Sequence, residues 1–140
     1  MQEMLTFLTN HPALSAGALV VILLLLMLEI LRAKRSTFKI TAQQATQLIN
    51  HDNAVVVDLR STEQFKKGHI IGAQSILSKS IWDNAKKLEK FKTKPLIMVC
   101  EQGVLSQKIA VFLLKHGYNV FALAGGMRGW QAADMPIVKE

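Results

Sequence analysis

The stretch LIMVCEQGVLSQKIAVFLL, Leu96 to Leu114, changes character halfway along. Its first part, with Pro95 in front, reads PLIMVC, a short uninterrupted apolar run of the kind that forms a strand buried on both faces. Its second part opens SQKIAVFLLKHG, Ser106 to Gly117, with apolar residues at helical spacing and a glycine to close the helix. Between them stand Cys100, the sole cysteine, and the loop EQGVL. A buried strand feeding a helix through a short loop is the unit of α/β architecture, and ligands in such sheets gather outside the carboxyl ends of the strands. Cys100 is therefore expected to end its strand in that crevice. Backbone N–H groups from Gln102 to Ser106 can turn towards its sulfur, and Gly103 permits the backbone angles such a cradle needs. A nest of this kind at a helix N-terminus can hold an anion on the sulfur. A lone cysteine can equally be a small buried hydrophobe, so the spacing leaves both readings open.

The same alternation continues on either side. TAQQATQLIN begins with a capping box, Thr41 to Gln44, and sets Ala45, Leu48 and Ile49 on one helical face. AVVVDLR, Ala54 to Arg60, is a β-branched run suited to a buried strand. STEQFKKG follows, with Ser61 as N-cap and Gly68 as stop. AQSIL predicts a short strand, and SIWDNAKKLEKF, Ser80 to Phe91, a helix with Ile81, Ala85 and Leu88 facing inward. NVFAL predicts a last strand and GMRGWQAA a final helical turn or two. Strands alternating with helices imply an open, mainly parallel sheet flanked by helices on both faces. Trp82 and Trp130 are expected in the core, and His51 and His116 in solvent, His116 in the last turn of its helix where a cation suits the dipole.

Outside this unit lies one segment of a different kind. Ala13 to Leu31, ALSAGALVVILLLLMLEIL, holds nineteen residues with Glu29 as its only charge. As a helix it spans about 28 Å, close to the hydrocarbon thickness of a bilayer. It is apolar all round, unlike a core helix. No Lys or Arg precedes Arg32, and no small-residue cleavage site follows, so it reads as an uncleaved anchor in preference to a signal peptide. The basic residues begin after it with Arg32, Lys34 and Arg35, which predicts an N-terminus outside and the remaining domain in the cytoplasm. The expected layout is a short extracytoplasmic N-terminus over 1–12, a transmembrane helix over 13–31, a basic juxtamembrane linker over 32–37 and an α/β domain over 38–140.

At 140 residues the chain allows one such domain and a short appendage. One cysteine cannot form an intramolecular disulfide, and no Cys/His cluster has metal-ligand spacing, so neither a metal nor a cofactor is expected. The net charge of +7 comes from scattered lysines without interleaved aromatic residues. That pattern fits a solvated surface beside an anionic membrane, not a nucleic-acid interface.

VVVDLRSTEQFKKGHIIGAQSI, Val55 to Ile76, resembles the rhodanese pattern: Asp-x-Arg at a strand end, an acidic-x-aromatic helix, then Gly-His-Ile-x-Gly-Ala before a further strand. VCEQGVLSQKIAVFLLKHGYNVFALAGGMRGW resembles that family's second half, with its cysteine, Cys-x-x-Gly loop, Ser opening a helix, strand, Gly-Gly and Trp. MPIV resembles the usual ending. The resemblance implies sulfur transfer. A cysteine thiolate attacks the outer sulfur of a donor such as thiosulfate, becomes a persulfide, and passes that sulfur to a thiol acceptor; donor and acceptor can be small molecules or proteins.

Carried onto this chain, the resemblance makes Cys100 the nucleophile. Glu101, Gln102, Gly103, Val104 and Leu105 form the loop whose amides hold the persulfide, and Ser106 follows it. The loop has six residues from Cys100 to Leu105, the sulfurtransferase length; the family's phosphatases have one more and end the loop in arginine. Asp58, Arg60 and His69 match positions that are mainly architectural. Many active relatives place arginine or lysine in this loop, where Glu101 and Leu105 stand here, so weak use of thiosulfate is expected. Anchor and resemblance together imply a single-pass protein of a bacterial inner membrane, either a sulfurtransferase or a non-catalytic rhodanese-like module that binds partner proteins.

Overall fold

The computed structural model describes residues 1–36 and 38–140. The chain falls into two compact units, Met1–Thr37 and Phe38–Glu140. The first holds α1 (Gln2–Asn10) and α2 (Pro12–Ser36). Within α2, Pro12–Ala33 is long and apolar enough by length and composition to cross a bilayer, with a mean hydropathy of 2.7 and no buried residue. Residues before the apolar segment form a helix of their own, and helix α2 continues through residues 32–36, into the stretch read as a basic juxtamembrane linker. The last residue of that linker, Thr37, lies outside the described residues. Proline at the first position of α2 costs that helix nothing, because its missing N–H would have no partner there.

The second unit is an α/β sandwich. Its elements are β1 (Lys39–Ile40), α3 (Ala42–Asp52), β2 (Val55–Asp58), α4 (Thr62–Lys67), β3 (Gln74–Ser75), α5 (Ser78–Asp83), a 3₁₀ helix (Ala85–Phe91), β4 (Leu96–Val99), α6 (Val104–Lys115), β5 (Val120–Leu123) and α7 (Gly126–Ala132). The five strands form one sheet in the order β1-β5-β4-β2-β3, every pair parallel. Alternate side chains of each central strand point to opposite faces. Val57, Leu96, Met98, Val120 and Ala122 pack with Ile81, Leu88, Ile109 and Leu113 beneath α5, the 3₁₀ helix and α6. Val56, Ile97, Val99 and Leu123 pack with Ala45, Met127 and Trp130 beneath α3 and α7. Both faces of β2, β4 and β5 are thus covered, which is why these strands read as continuous apolar runs.

The Thr41 capping box forms in both directions, with Thr41 Oγ1 accepting from Gln44 N–H and Gln44 Oε1 accepting from Thr41 N–H. Ser61 caps α4 the same way at one end, accepting from Gln64 N–H. The expected helix over Ser80–Phe91 is instead broken. Asn84 adopts an extended backbone (φ −156°, ψ 97°) and its side chain accepts from Lys86 N–H at 3.0 Å, ending α5 and starting the 3₁₀ helix. A short amide side chain that bonds its own backbone competes with the helix ladder, and here it wins. Ile81 and Leu88 still face inward, fully buried. Trp82 does not: one position on from the inward Ile81, it lies about 100° round α5 from the buried face, is 43% exposed and tilts against Phe112 on the surface. Trp130 is buried and donates to Pro136 O.

The pairing of β2 with both neighbours sets the geometry of the functional edge. Asp58 lies level with Val99 of β4 and with Ser75 of β3. The carboxyl ends of β4, β2 and β3 therefore line up along one crest of the sheet.

Candidate active site

Cys100 sits on that crest, one residue beyond the end of β4 and 5% exposed. Helix α6 begins at Val104, two residues before the expected Ser106, with Gly103 at its N-cap. Starting the helix early draws the loop into a tight curl around the sulfur. Gly103 N–H donates to Sγ at 3.0 Å and Ser106 N–H at 3.4 Å. Of the amides expected to point inward, these are the two that bond the sulfur. Ser106 is fully buried; its hydroxyl donates to Gly103 O at 3.0 Å and accepts from the Cys100 thiol at 3.4 Å.

The curl is held from behind by α7. Helix N-termini leave their first N–H groups without partners in the helix, and those of Met127 and Arg128 donate to the carbonyls of Cys100 (2.8 Å) and Glu101 (3.1 Å). Such a close approach of backbone to backbone demands glycine. At Gly103, which has φ +93°, a Cβ would come within 3.1–3.2 Å of the amide nitrogens of Gly125 and Gly126. At Gly126, which has φ +57°, it would collide with Cys100 O and the carbonyl group of Glu101. Gly126, Met127 and Arg128 were not among the site residues expected from sequence. The adjacent glycines after the last strand were the available signal.

In front of the sulfur opens a cavity of about 390 Å³. Leu59, Arg60, Ser61 and Gln64 form one wall, and Glu101, Gln102, Val104 and Leu105 the other. Asp58 and Arg60 lie beneath it as a buried pair. Arg60 Nε donates to both Asp58 oxygens at 3.0 and 3.2 Å, and Nη2 to Oδ2 at 2.8 Å. Asp58 Oδ1 also accepts from Arg60 N–H, and Arg60 Nη2 donates to Gly68 O at 2.7 Å. Burial by itself would lower the Arg60 pKa; the hydrogen bonds and charge of Asp58, helped by Glu101, outweigh it and push it above its ordinary value.

Glu101, the acidic neighbour of Cys100, is engaged by two arginines. Its Oε2 accepts from Arg60 Nη1 at 3.4 Å, and its Oε1 lies 3.8 Å from Arg128 Nε. His69 stands apart from the cavity lining. Its Nδ1 meets Phe65 O at 2.8 Å, its ring stacks on Phe65 at 3.8 Å between centroids, and its backbone pairs with Val138. His51 and His116 are exposed, and His116 Nδ1 meets Phe112 O one turn back.

A buried cysteine cradled by amides at a helix N-terminus, facing an open cavity, can carry an anionic sulfur without a metal ligand. Known proteins resemble this chain in sequence and in fold. The profile of the rhodanese-like domain matches residues 41–133. The uncharacterized protein YibN of Escherichia coli K12 is 41% identical over 143 residues, covering 99% of each chain. The thiosulfate sulfurtransferase GlpE of Haemophilus influenzae is 37% identical over 100 residues, covering 71% of this chain and 92% of GlpE. The crystal structure of a rhodanese-related protein from Thermoplasma volcanium superposes with a TM-score of 0.66 at 25% identity, covering 73% of this chain and 98% of that one. Matched by the family's model over more than half of its length and by relatives above 30% identity, the chain belongs to the rhodanese-like domain family.

Proposed function

We propose that the chain is a membrane-anchored sulfurtransferase in which Cys100 is the nucleophile. The observation that carries this reading is the pair of backbone N–H groups, Gly103 and Ser106, aimed at a sulfur that faces an open cavity. A purely structural cysteine needs neither donors nor access. In the first half-reaction the Cys100 thiolate attacks the outer sulfur of the donor. With thiosulfate, the new S–S bond forms as the donor's own S–S bond breaks, and sulfite leaves with the electron pair. The terminal sulfur of the persulfide carries the negative charge, and the loop amides stabilise it with fixed dipoles that need no reorganisation. In the second half-reaction an acceptor thiolate attacks that sulfur and Cys100 departs as the thiolate.

Arg60, Asp58 and His69 support the site and do not react in this scheme. The Asp58–Arg60 pair ties the end of β2 to Gly68 and Glu101, and His69 ties α4 to the segment after it. Helix α2 anchors the domain to the membrane, and the basic residues that follow its apolar span favour a cytoplasmic domain.

Glu101 sets donor preference. Its carboxylate stands in the cavity wall where a dianionic donor enters, and it neutralises two guanidinium groups that would otherwise attract that donor. Glu101→Gln should raise kcat/KM for thiosulfate by about three- to tenfold, with the gain shrinking at high ionic strength. The test uses membranes from cells expressing the full chain. Sulfur transfer from thiosulfate to cyanide should remain with the membranes after a carbonate wash, vanish in Cys100→Ser and rise in Glu101→Gln. Activity that persists in Cys100→Ser would remove the nucleophile assignment, and activity washed into the supernatant would remove the anchor.

A further inference from the structure

A second groove opens on the same crest, one strand further along. The cavity in front of Cys100 lies beyond the carboxyl ends of β4 and β2. The second, of about 480 Å³, lies beyond β2 and β3 and shares the wall made by consecutive residues Ser61 and Thr62. Its lining is mixed: Ile76 and Leu77 supply the apolar part, and the hydroxyl residues Thr62, Ser75 and Ser80 with Lys87 and Lys90 supply the polar part. The lysines meet there because of the unexpected 3₁₀ helix. With three residues per turn, positions three apart are eclipsed, so Lys87 and Lys90 stand on one face while Leu88 is turned into the core. Among the described residues neither lysine is ion-paired, and Lys90 Nζ meets only the Phe91 ring, at 4.8 Å from its centroid. The hydroxyls of Thr62, Ser75 and Ser80 likewise have no hydrogen-bond partner within the described residues.

We infer that this groove binds the anionic end of the sulfur acceptor. Two ammonium groups and three hydroxyls are donors suited to a carboxylate. The groove has the volume of a small-molecule site. Its distance from Cys100 selects the ligand. From β4 across β2 to β3 is two strand spacings, about 10 Å. An acceptor seated here with its thiolate at the persulfide must carry its charge about that far from its sulfur, as an extended peptide thiol does and cyanide or dithiothreitol does not. The inference rests on the sulfur-transfer reading above, in its second half-reaction: the thiolate takes the outer sulfur, the S–S bond to Cys100 breaks, and an S–S bond to the acceptor forms.

The full chain in detergent, loaded with persulfide and freed of donor, tests it. Loss of the extra sulfur is followed by intact mass after adding glutathione, an extended anionic peptide thiol, or dithiothreitol, a neutral one. Lys87→Gln/Lys90→Gln should slow the glutathione reaction by about tenfold and leave the dithiothreitol reaction within about twofold. Lys108→Gln/Lys115→Gln, which removes the same charge from exposed positions on α6, should slow neither. Equal loss in the two double variants, or no loss in the first, would overturn the inference. Binding is measured separately with S-methylglutathione, which cannot accept sulfur. Its titration should shift the backbone amide resonances of Thr62, Ser75 and Ser80 in the parent and in Cys100→Ser, and not in Lys87→Gln/Lys90→Gln. A chain that forms no persulfide but shows these shifts would sink the sulfur-transfer reading and keep the anion site; absent shifts would sink the site alone.

Discussion

Asp58→Asn should lower the stability of the α/β unit by about 3 kcal/mol while leaving the reactivity of each folded molecule nearly unchanged. Arg60 Nε and Nη2 together donate to both carboxylate oxygens. An asparagine keeps one acceptor and turns the other into an NH₂ group facing a guanidinium donor. The change also leaves a buried cation, 9% exposed, without its main counter-charge. Removing one partner of a buried pair costs about 3–5 kcal/mol, and Glu101, still 3.4 Å from Nη1, offsets part of it. For a unit of this size each kcal/mol moves the midpoint by about 4–8 °C. Circular dichroism should therefore show a fall in Tm of about 15 °C. Persulfide formation per folded molecule, measured well below that midpoint, should stay within about twofold. Unchanged melting with lost sulfur transfer would instead put Asp58 in the chemistry.

Gly126→Ala should break that pattern, lowering the reactivity of each folded molecule as well as the stability of the unit. The new methyl would collide with Cys100 O and lie 2.8 Å from the carbonyl carbon and oxygen of Glu101. Neither neighbour is a flexible side-chain end, so backbone must move. The displaced segment is the one that holds the sulfur, and Met127 N–H and Arg128 N–H would lose the carbonyls they now hold. A misplacement of about 1 Å at a reacting centre can cost about 100-fold, which is the expected fall in the rate of persulfide formation. Gly72→Ala is the control. It has a similarly positive φ, +78°, with nothing within 4 Å of the added methyl. It should show the conformational cost alone, on the order of 1–2 kcal/mol, with an unchanged rate. Equal rates for the parent and Gly126→Ala would mean that α7 does not position the loop.

These two positions differ in how openly the sequence displayed them. Asp58 and Arg60 stand in a motif two residues apart, so their mutual contact was within reach of local reading. Elements with strong local signals were equally legible. The capping box at Thr41 and the apolar runs of β2, β4 and β5 rest on hydrogen bonds and burial that short segments encode. Strand β1 is two residues long and exists through its pairing with β5, a contact across more than eighty positions. No periodicity can reveal it. The break at Asn84 had a signal, the Asp83-Asn84 pair, which the inward spacing of Ile81, Ala85 and Leu88 concealed. At the site, Cys100 and its loop were readable as strand, glycine and helix. The grip of α7 and the pairing of Glu101 with Arg60, 41 residues away, were not, because they depend on the sheet bringing distant segments level. Read locally, Glu101 was a carboxylate beside the nucleophile; in the fold it is a carboxylate held by two arginines.

Everything proposed for the site depends on Cys100 taking up sulfur. The full chain in detergent, incubated with thiosulfate or with a small-molecule persulfide and then freed of donor, is measured by intact mass under non-reducing conditions. The mass should rise by one sulfur atom, located by peptide mapping to Cys100, reversed by a thiol and absent in Cys100→Ser. A folded chain whose mass is unchanged with every donor, and whose Cys100 also resists alkylation, would contradict it and leave a rhodanese-like binding module at the membrane as the better description.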